Sequence, residues 1–209
     1  VQLERVEQKG NNIVGYLIPA GKTIENTEFV VLGAHYDHLG QGHLKDASRS
    51  PSKMKDEIHN GADDNASGTA AILELAEFFA EEYRKTNNEF QKGIIFACWS
   101  AEEMGLIGSQ DFVAHLPVNQ EHIFANVNFD MIGSLRNNEL IIQGVASATE
   151  WRSLFEKKNV VAGFNLKMQD DPWLPTDATS FYAQGIPVVN FFTGLTAYYH
   201  TSLYDPKTI

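Results

Sequence analysis

Apolar and polar positions alternate over Val1–Gln8 and again over Asn11–Ile18, with the turn-forming Lys9-Gly10-Asn11-Asn12 between them. The chain is therefore read as opening with a hairpin. Phe29–Ala34 and Gly93–Trp99 are unbroken apolar runs of strand length, the pattern of strands covered on both faces. Ile123–Phe129, Leu140–Gln143 and Val188–Phe192 are read as further strands. Over Ser67–Lys85 the period changes to that of a helix. Ile72, Leu75, Ala76, Phe79, Ala80 and Tyr83 share one face, while Glu74, Glu77, Glu81 and Glu82 point mostly away. Glu81 and Lys85 form an i,i+4 pair of favourable polarity. Shorter helices are predicted over Leu106–Leu116, Ala148–Lys158 and Asp177–Gln184. Gly40–Asn60 is poor in apolar residues and reads as a long surface loop, a feature that is functional or mobile in a compact domain.

Strands alternating with helices predict an α/β fold, a three-layer α/β/α sandwich around a mixed, largely parallel sheet. The 209 residues fit a single domain spanning 1–209, and 43% hydrophobic content supplies its core. A formal charge of −11 without a lysine or arginine cluster argues against a protein that tracks nucleic-acid phosphates. The longest apolar runs, such as Ile94–Trp99, are far shorter than the roughly 20 residues of a membrane span. Cys98 is the single cysteine, so a disulfide within the chain and a thiolate zinc cluster are both excluded. Any metal must be held by histidine and carboxylate. Val1 is not an initiator methionine, so the sequence reads as a mature or excised piece.

Ligands of open α/β sheets gather at the carboxyl ends of the strands. The predicted strand ends carry Ala34-His35-Tyr36-Asp37-His38, Ser100-Ala101-Glu102-Glu103 and Asp130, and a later loop carries Tyr199-His200. Gly61-Ala62-Asp63-Asp64-Asn65-Ala66-Ser67-Gly68 stands before the long helix. Each of these has an ordinary structural use. Asp63-Asp64 suits a helix cap, Glu102-Glu103 suits the dipole of a following helix, and Asp130 and His200 suit solvated loops. Together, two histidines and several carboxylates at strand exits match the donor set of a hydrolytic zinc site. Two ions held close together need a shared carboxylate to offset their repulsion.

These segments, with Asn128-Phe129-Asp130-Met131-Ile132-Gly133 and Tyr199-His200-Thr201, follow one another in an order that resembles the co-catalytic di-zinc aminopeptidases typified by secreted bacterial leucine aminopeptidases. The resemblance runs from about Phe29 to Pro206. It implies two Zn²⁺ ions, with His35 and Asp130 on one, Glu103 and His200 on the other, and Asp64 bridging. It also implies that Glu102 is the general base, that Tyr199 hydrogen-bonds the oxyanion, and that Asp63 lies behind the ligands. Asp37, two residues beyond His35, is placed to accept the other imidazole N–H and set its tautomer. The Asp64–Asn65 peptide is expected to be cis, and where the sequence stops at Ile209 the family usually continues into a closing helix, so this sequence is either cut there or ends differently. Substrates are expected to be peptides with a free N-terminus, in the periplasm or outside the cell. The chain departs from the resemblance at Thr176-Asp177-Ala178-Thr179-Ser180-Phe181, where many members have a histidine.

Alternatives share much of this donor set. A di-zinc carboxypeptidase or deacylase usually inserts a dimerisation domain between its last two ligands, for which the span from Asp130 to His200 has no room. A glutaminyl cyclase of similar fold uses one zinc and transfers an acyl group. A silent binding module loses ligands or the base, whereas all six residues are kept here. A plain α/β domain with solvated acids is the remaining reading. Cys98 and Trp151 are read as packing residues, and Trp173, with Phe191, Phe192 and Tyr198, as either a pocket wall or core cover. His38, His43, His59, His115 and His122 have no ligand partner legible in the sequence.

Overall fold

A computed structural model describes residues 9–41, 47–51, 57–86 and 89–207. The strands are β1 (Ile13–Leu17), β2 (Phe29–His35), β3 (Gly93–Trp99), β4 (Ile123–Phe129), β5 (Glu139–Gln143), β6 (Asn165–Gln169) and β7 (Val188–Phe192). They form one sheet in the order β1-β3-β2-β4-β7-β5-β6. The central β3, β2, β4 and β7 are mutually parallel. β1 lies antiparallel on β3, and β5, paired parallel with β6, runs antiparallel to β7. The sheet is therefore mixed around a parallel centre, as the sequence pattern predicted.

Four helices cover the sheet: α1 (Gly68–Lys85), α2 (Ile107–Ala114), α3 (Glu150–Ala162) and α4 (Ala178–Tyr182). Alternation along the strands sorts the core into layers. Phe29 and Val31 of β2, with Ile95, Ala97 and Trp99 of β3, meet Phe112 of α2 and Phe181 of α4. The intervening Leu32, Ala34, Ile94, Phe96 and Cys98 face the other way, onto Ile72, Leu75 and Phe79 of α1. Trp151 and Phe155 of α3 cover Ile142, Val189 and Phe191 at the far end of the sheet. None of the described helices is long and apolar enough to cross a membrane.

Several expectations change in detail. Val1–Gln8 lies outside the described residues, and β1, the second half of the predicted hairpin, pairs with β3. β6 was not predicted. α3 starts later than expected and runs on to Ala162, where Gly163 closes it at φ +74°. The register of the β4, β7, β5 and β6 segment is reinforced by side-chain amides in one row. Asn128 donates to Asn190, Asn190 to Gln143 and Gln143 to Gln169, all at 2.9–3.0 Å. Asn128 stands two residues before Asp130, so this row also steadies one edge of the site.

Candidate metal centre

β2 ends on His35, whose side chain is only 1% exposed. Its Nδ1 lies 3.1 Å from the Asp37 carbonyl oxygen. A carbonyl can only accept, so Nδ1 carries the hydrogen and Nε2 is left with its lone pair. That lone pair faces Asp64 Oδ1 at 3.3 Å, Asp130 Oδ1 at 3.5 Å and Glu102 Oε2 at 4.0 Å. His200 repeats the arrangement. Its Nδ1 is 3.1 Å from the Ala47 carbonyl, and its Nε2 faces Asp64 Oδ2 at 3.1 Å and Glu103 Oε2 at 3.5 Å. Asp64 thus presents one carboxylate oxygen to each histidine.

The backbone around Asp64 is built for this placement. Gly61 adopts φ +64°, the Asp64–Asn65 peptide is cis, and regular α-helix starts only at Gly68. Asn65 holds the turn against β4, donating to the Phe129 carbonyl and accepting from the Gly68 and Met131 N–H groups. Asp63 points away from the histidines. It accepts from the Gly133 N–H, the Ser67 hydroxyl and the buried Tyr204 hydroxyl, the last at 2.7 Å.

Glu102 and Glu103 follow β3 in a turn where Ala101 has φ +57°. The Asp37 carboxylate accepts their two backbone N–H groups, at 3.0 and 3.3 Å. Its side chain is 3.7 Å from His35 Nδ1, so the tautomer is set by the closer Asp37 carbonyl rather than by the carboxylate. The expected Asp37 contact is corrected accordingly: the main chain reaches the ring first, and the carboxylate fastens the glutamate turn. Tyr199 stacks on His200 with ring centroids 3.8 Å apart, and the Arg49 guanidinium lies over the Tyr199 ring, 4.8 Å from its centre. Burial raises the Tyr199 phenol, and the charges of Asp64, Glu103, Asp130 and Glu102 raise it further.

Two residues join the cluster that the sequence reading left out. His38 Nδ1 comes within 2.7 Å of Glu103 Oε1 and 3.9 Å of Asp64 Oδ2. Its position three residues past His35 on the same strand exit was the available signal. Asp177, just before α4, is fully buried, and neither of its oxygens has a hydrogen-bond partner among the described residues. Burial pushes its carboxyl up to about 7, and His35, Asp130 and Asp37 lie close enough to affect it. The other histidines stay outside: His59 bonds Ser48, His115 pairs with Asp111, and His43 lies outside the described residues. Trp173 is 60% exposed with its ring edge-on to Tyr182, so it does not cover the core. Phe191 stacks on Phe129 and packs beneath α3.

The cluster fits a divalent cation. Lone pairs of two imidazoles face carboxylate oxygens, an arrangement that needs a proton or a metal between them. Asp130 Oδ1 and Glu103 Oε1 are buried without hydrogen-bond partners among the described residues. Without a cation, burial pushes Glu102 up to about 9, with Asp177, Asp130 and Glu103 adding to the effect and His35 opposing it, whereas a divalent ion beside it would favour the ionised form a base requires. Donor atoms of His35, Glu102 and Asp130 lie within 4.8 Å of one another, as do those of His38, Asp64 and Glu103.

The sequence profile of Peptidase family M28 matches residues 12–209. The chain belongs to that family. Among its relatives, an aminopeptidase from Pseudomonas aeruginosa is 32% identical over 179 residues, covering 79% of this chain and 28% of that protein. The structure of a zinc aminopeptidase from Bacillus subtilis superposes with a TM-score of 0.65 at 26% identity, covering 92% of this chain and 43% of that one. A Porphyromonas gingivalis glutaminyl cyclase reaches a TM-score of 0.71 over 95% of this chain and 70% of that one. At 20% identity that likeness shows the fold alone. This M28 chain thus spans well under half the length of the two aminopeptidases.

Proposed function

We propose that this protein is a zinc-dependent aminopeptidase that hydrolyses the first peptide bond of peptides with a free N-terminus. The observation that carries the reading is the Asp64 carboxylate, shared between His35 Nε2 at 3.3 Å and His200 Nε2 at 3.1 Å. Two zinc ions would be held here, one by His35 and Asp130, the other by Glu103 and His200, with Asp64 serving both. Bound zinc supplies a Lewis acid that lowers the pKa of water to about 7 and polarises the scissile carbonyl. Glu102 takes the proton of the attacking water and returns it to the leaving amine. Tyr199 donates to the tetrahedral oxyanion. Asp37 holds Glu102 and Glu103 in register by accepting both of their N–H groups. The surplus of carboxylates favours a cationic α-amine at the substrate's first residue. We place the activity in the periplasm or outside the cell, on the resemblance to secreted aminopeptidases. A cyclase reading has support from the fold only.

The test combines metal analysis with hydrolysis of aminoacyl-anilides and incubation with a Gln-initiated peptide. Anilide cleavage that a chelator abolishes and added zinc restores is the expected result. Pyroglutamate formation without anilide cleavage would select the cyclase and overturn the proposal.

A further inference from the structure

We propose that His38 is a ligand of the metal position formed by Asp64, Glu103 and His200, which makes that position a closed set of four protein side chains. The inference rests on the metal-centre reading above and adds a residue to it. The His38 side chain is 7% exposed, yet neither ring nitrogen has a hydrogen-bond partner among the described residues. A buried imidazole normally spends both nitrogens on hydrogen bonds or on a metal. Its Nδ1 is 2.7 Å from Glu103 Oε1, but the two are out of line for a hydrogen bond, and Glu103 Oε1 is itself unpartnered. Two donor atoms this close and this misaligned are aimed at a third point rather than at each other. His200 contributes from its own loop, its Nε2 3.1 Å from Asp64 Oδ2 and 3.5 Å from Glu103 Oε2, with its ring edge-on to His38 at 5.6 Å between centroids.

The backbone makes room for the ring. A Cβ on Gly61 would lie 2.7 Å from His38 Cβ and Cγ and 2.5 Å from the Asp64 carbonyl oxygen. Only glycine, at φ +64°, lets His38 and the Asp64 turn approach this closely. Four side-chain donors close a tetrahedral zinc position, whereas three leave a place for water. The other position has His35, Asp130 and the shared Asp64, which are three. The two positions are therefore unequal: the His38 position fills first and holds its ion more tightly, and the His35 position carries the open place.

Zinc titration against a chromophoric chelator, with the visible spectrum of the Co²⁺-loaded protein, tests this on the whole chain and on His38→Ala and His38→Gln. The expected result is two unequal sites in the unsubstituted protein, with the tighter affinity reduced at least about 100-fold in His38→Ala, beyond what loss of a supporting hydrogen bond costs. The Co²⁺ band should change, and His38→Gln should not restore it. Unchanged affinities and spectrum in His38→Ala overturn the assignment. Restoration by His38→Gln overturns it too, because glutamine can donate to Glu103 but is a poor zinc ligand. Should the variants fail to fold, X-ray absorption of the unsubstituted protein at one equivalent of zinc decides. Two imidazoles support the assignment and one overturns it. Absence of any metal binding by the unsubstituted chain would instead remove the metal-centre reading itself.

Discussion

Glutamine in place of Glu102 separates proton transfer from metal binding, because the side chains match in shape and differ by one charge. The Glu102 side chain is 12% exposed, with Oε2 4.0 Å from His35 Nε2. Burial, with Asp177, Asp130 and Glu103 nearby, already disfavours its charge. The metal-free fold must take up a proton at Glu102 near neutral pH, and glutamine removes that cost, so the metal-free Glu102→Gln protein should melt no lower than the unsubstituted one. Loss of the base should cut turnover by at least about 10²-fold, or about 2.7 kcal/mol of barrier. KM should hardly move, since the proton is transferred only on the way to the transition state. The assay is initial-rate hydrolysis of an aminoacyl-anilide, with metal content measured on the same samples and on Glu103→Ala. The control should lose metal and, with it, activity. Near-normal turnover in a fully metallated Glu102→Gln protein would refute the assignment. Metal loss in Glu102→Gln but not in Glu103→Ala would show that the two glutamates trade roles, since donor atoms of Glu102, His35 and Asp130 also lie within 4.8 Å of one another.

Two further predictions concern the frame behind the ligands. Tyr204→Phe removes the 2.7 Å hydrogen bond to Asp63 Oδ2 between two residues with no exposed surface. It should cost about 1.5–3 kcal/mol, read as a lower denaturant midpoint at unchanged m-value, and a loss below about 0.5 kcal/mol would contradict it. Gly61→Ala should cost at least about 2 kcal/mol, from left-handed backbone strain of about 1–2 kcal/mol plus the 2.5 Å contact with the Asp64 carbonyl. It should also weaken metal retention, and an equally stable variant would show that the turn has another way to relax.

The strands were most legible where the sheet is buried on both faces. Gly93–Trp99, buried at every position, and Ile123–Phe129 and Val188–Phe192, buried at most of their central positions, keep their predicted ends. β6 escaped notice because Asn165-Leu166-Lys167-Met168-Gln169 is an edge strand with only two apolar side chains, both facing α3. The end of α3 was misjudged for a related reason. Val160 and Val161 are 85% and 93% exposed, so the apolar period stops before the helix does. Among the site residues, those at strand ends were legible because a parallel sheet collects its exits on one edge. His38 shares the β2 exit with His35, but its partners Asp64 and Glu103 come from two other segments, so its position alone did not reveal a role.

What the side-chain motifs leave unencoded is the orientation of the donors. His35 and His200 are both oriented by main-chain carbonyls, His35 by Asp37 and His200 by Ala47. A carbonyl is supplied by any residue, so the identity of Ala47 carries no signal. Its position does, and that is held by a buried network. His59 bonds the Ser48 hydroxyl at 2.7 Å, Ser50 accepts the Ser202 N–H at 2.9 Å, and the Arg49 N–H donates to the His200 carbonyl at 2.8 Å. The described parts of the polar loop between Gly40 and Asn60 thus form the wall that seats His200. Composition marked that loop as functional or mobile, and the network accounts for the first alternative. Ser48, Ser50 and His59 are spent on fixing one carbonyl, which leaves His200 Nε2 to face Asp64.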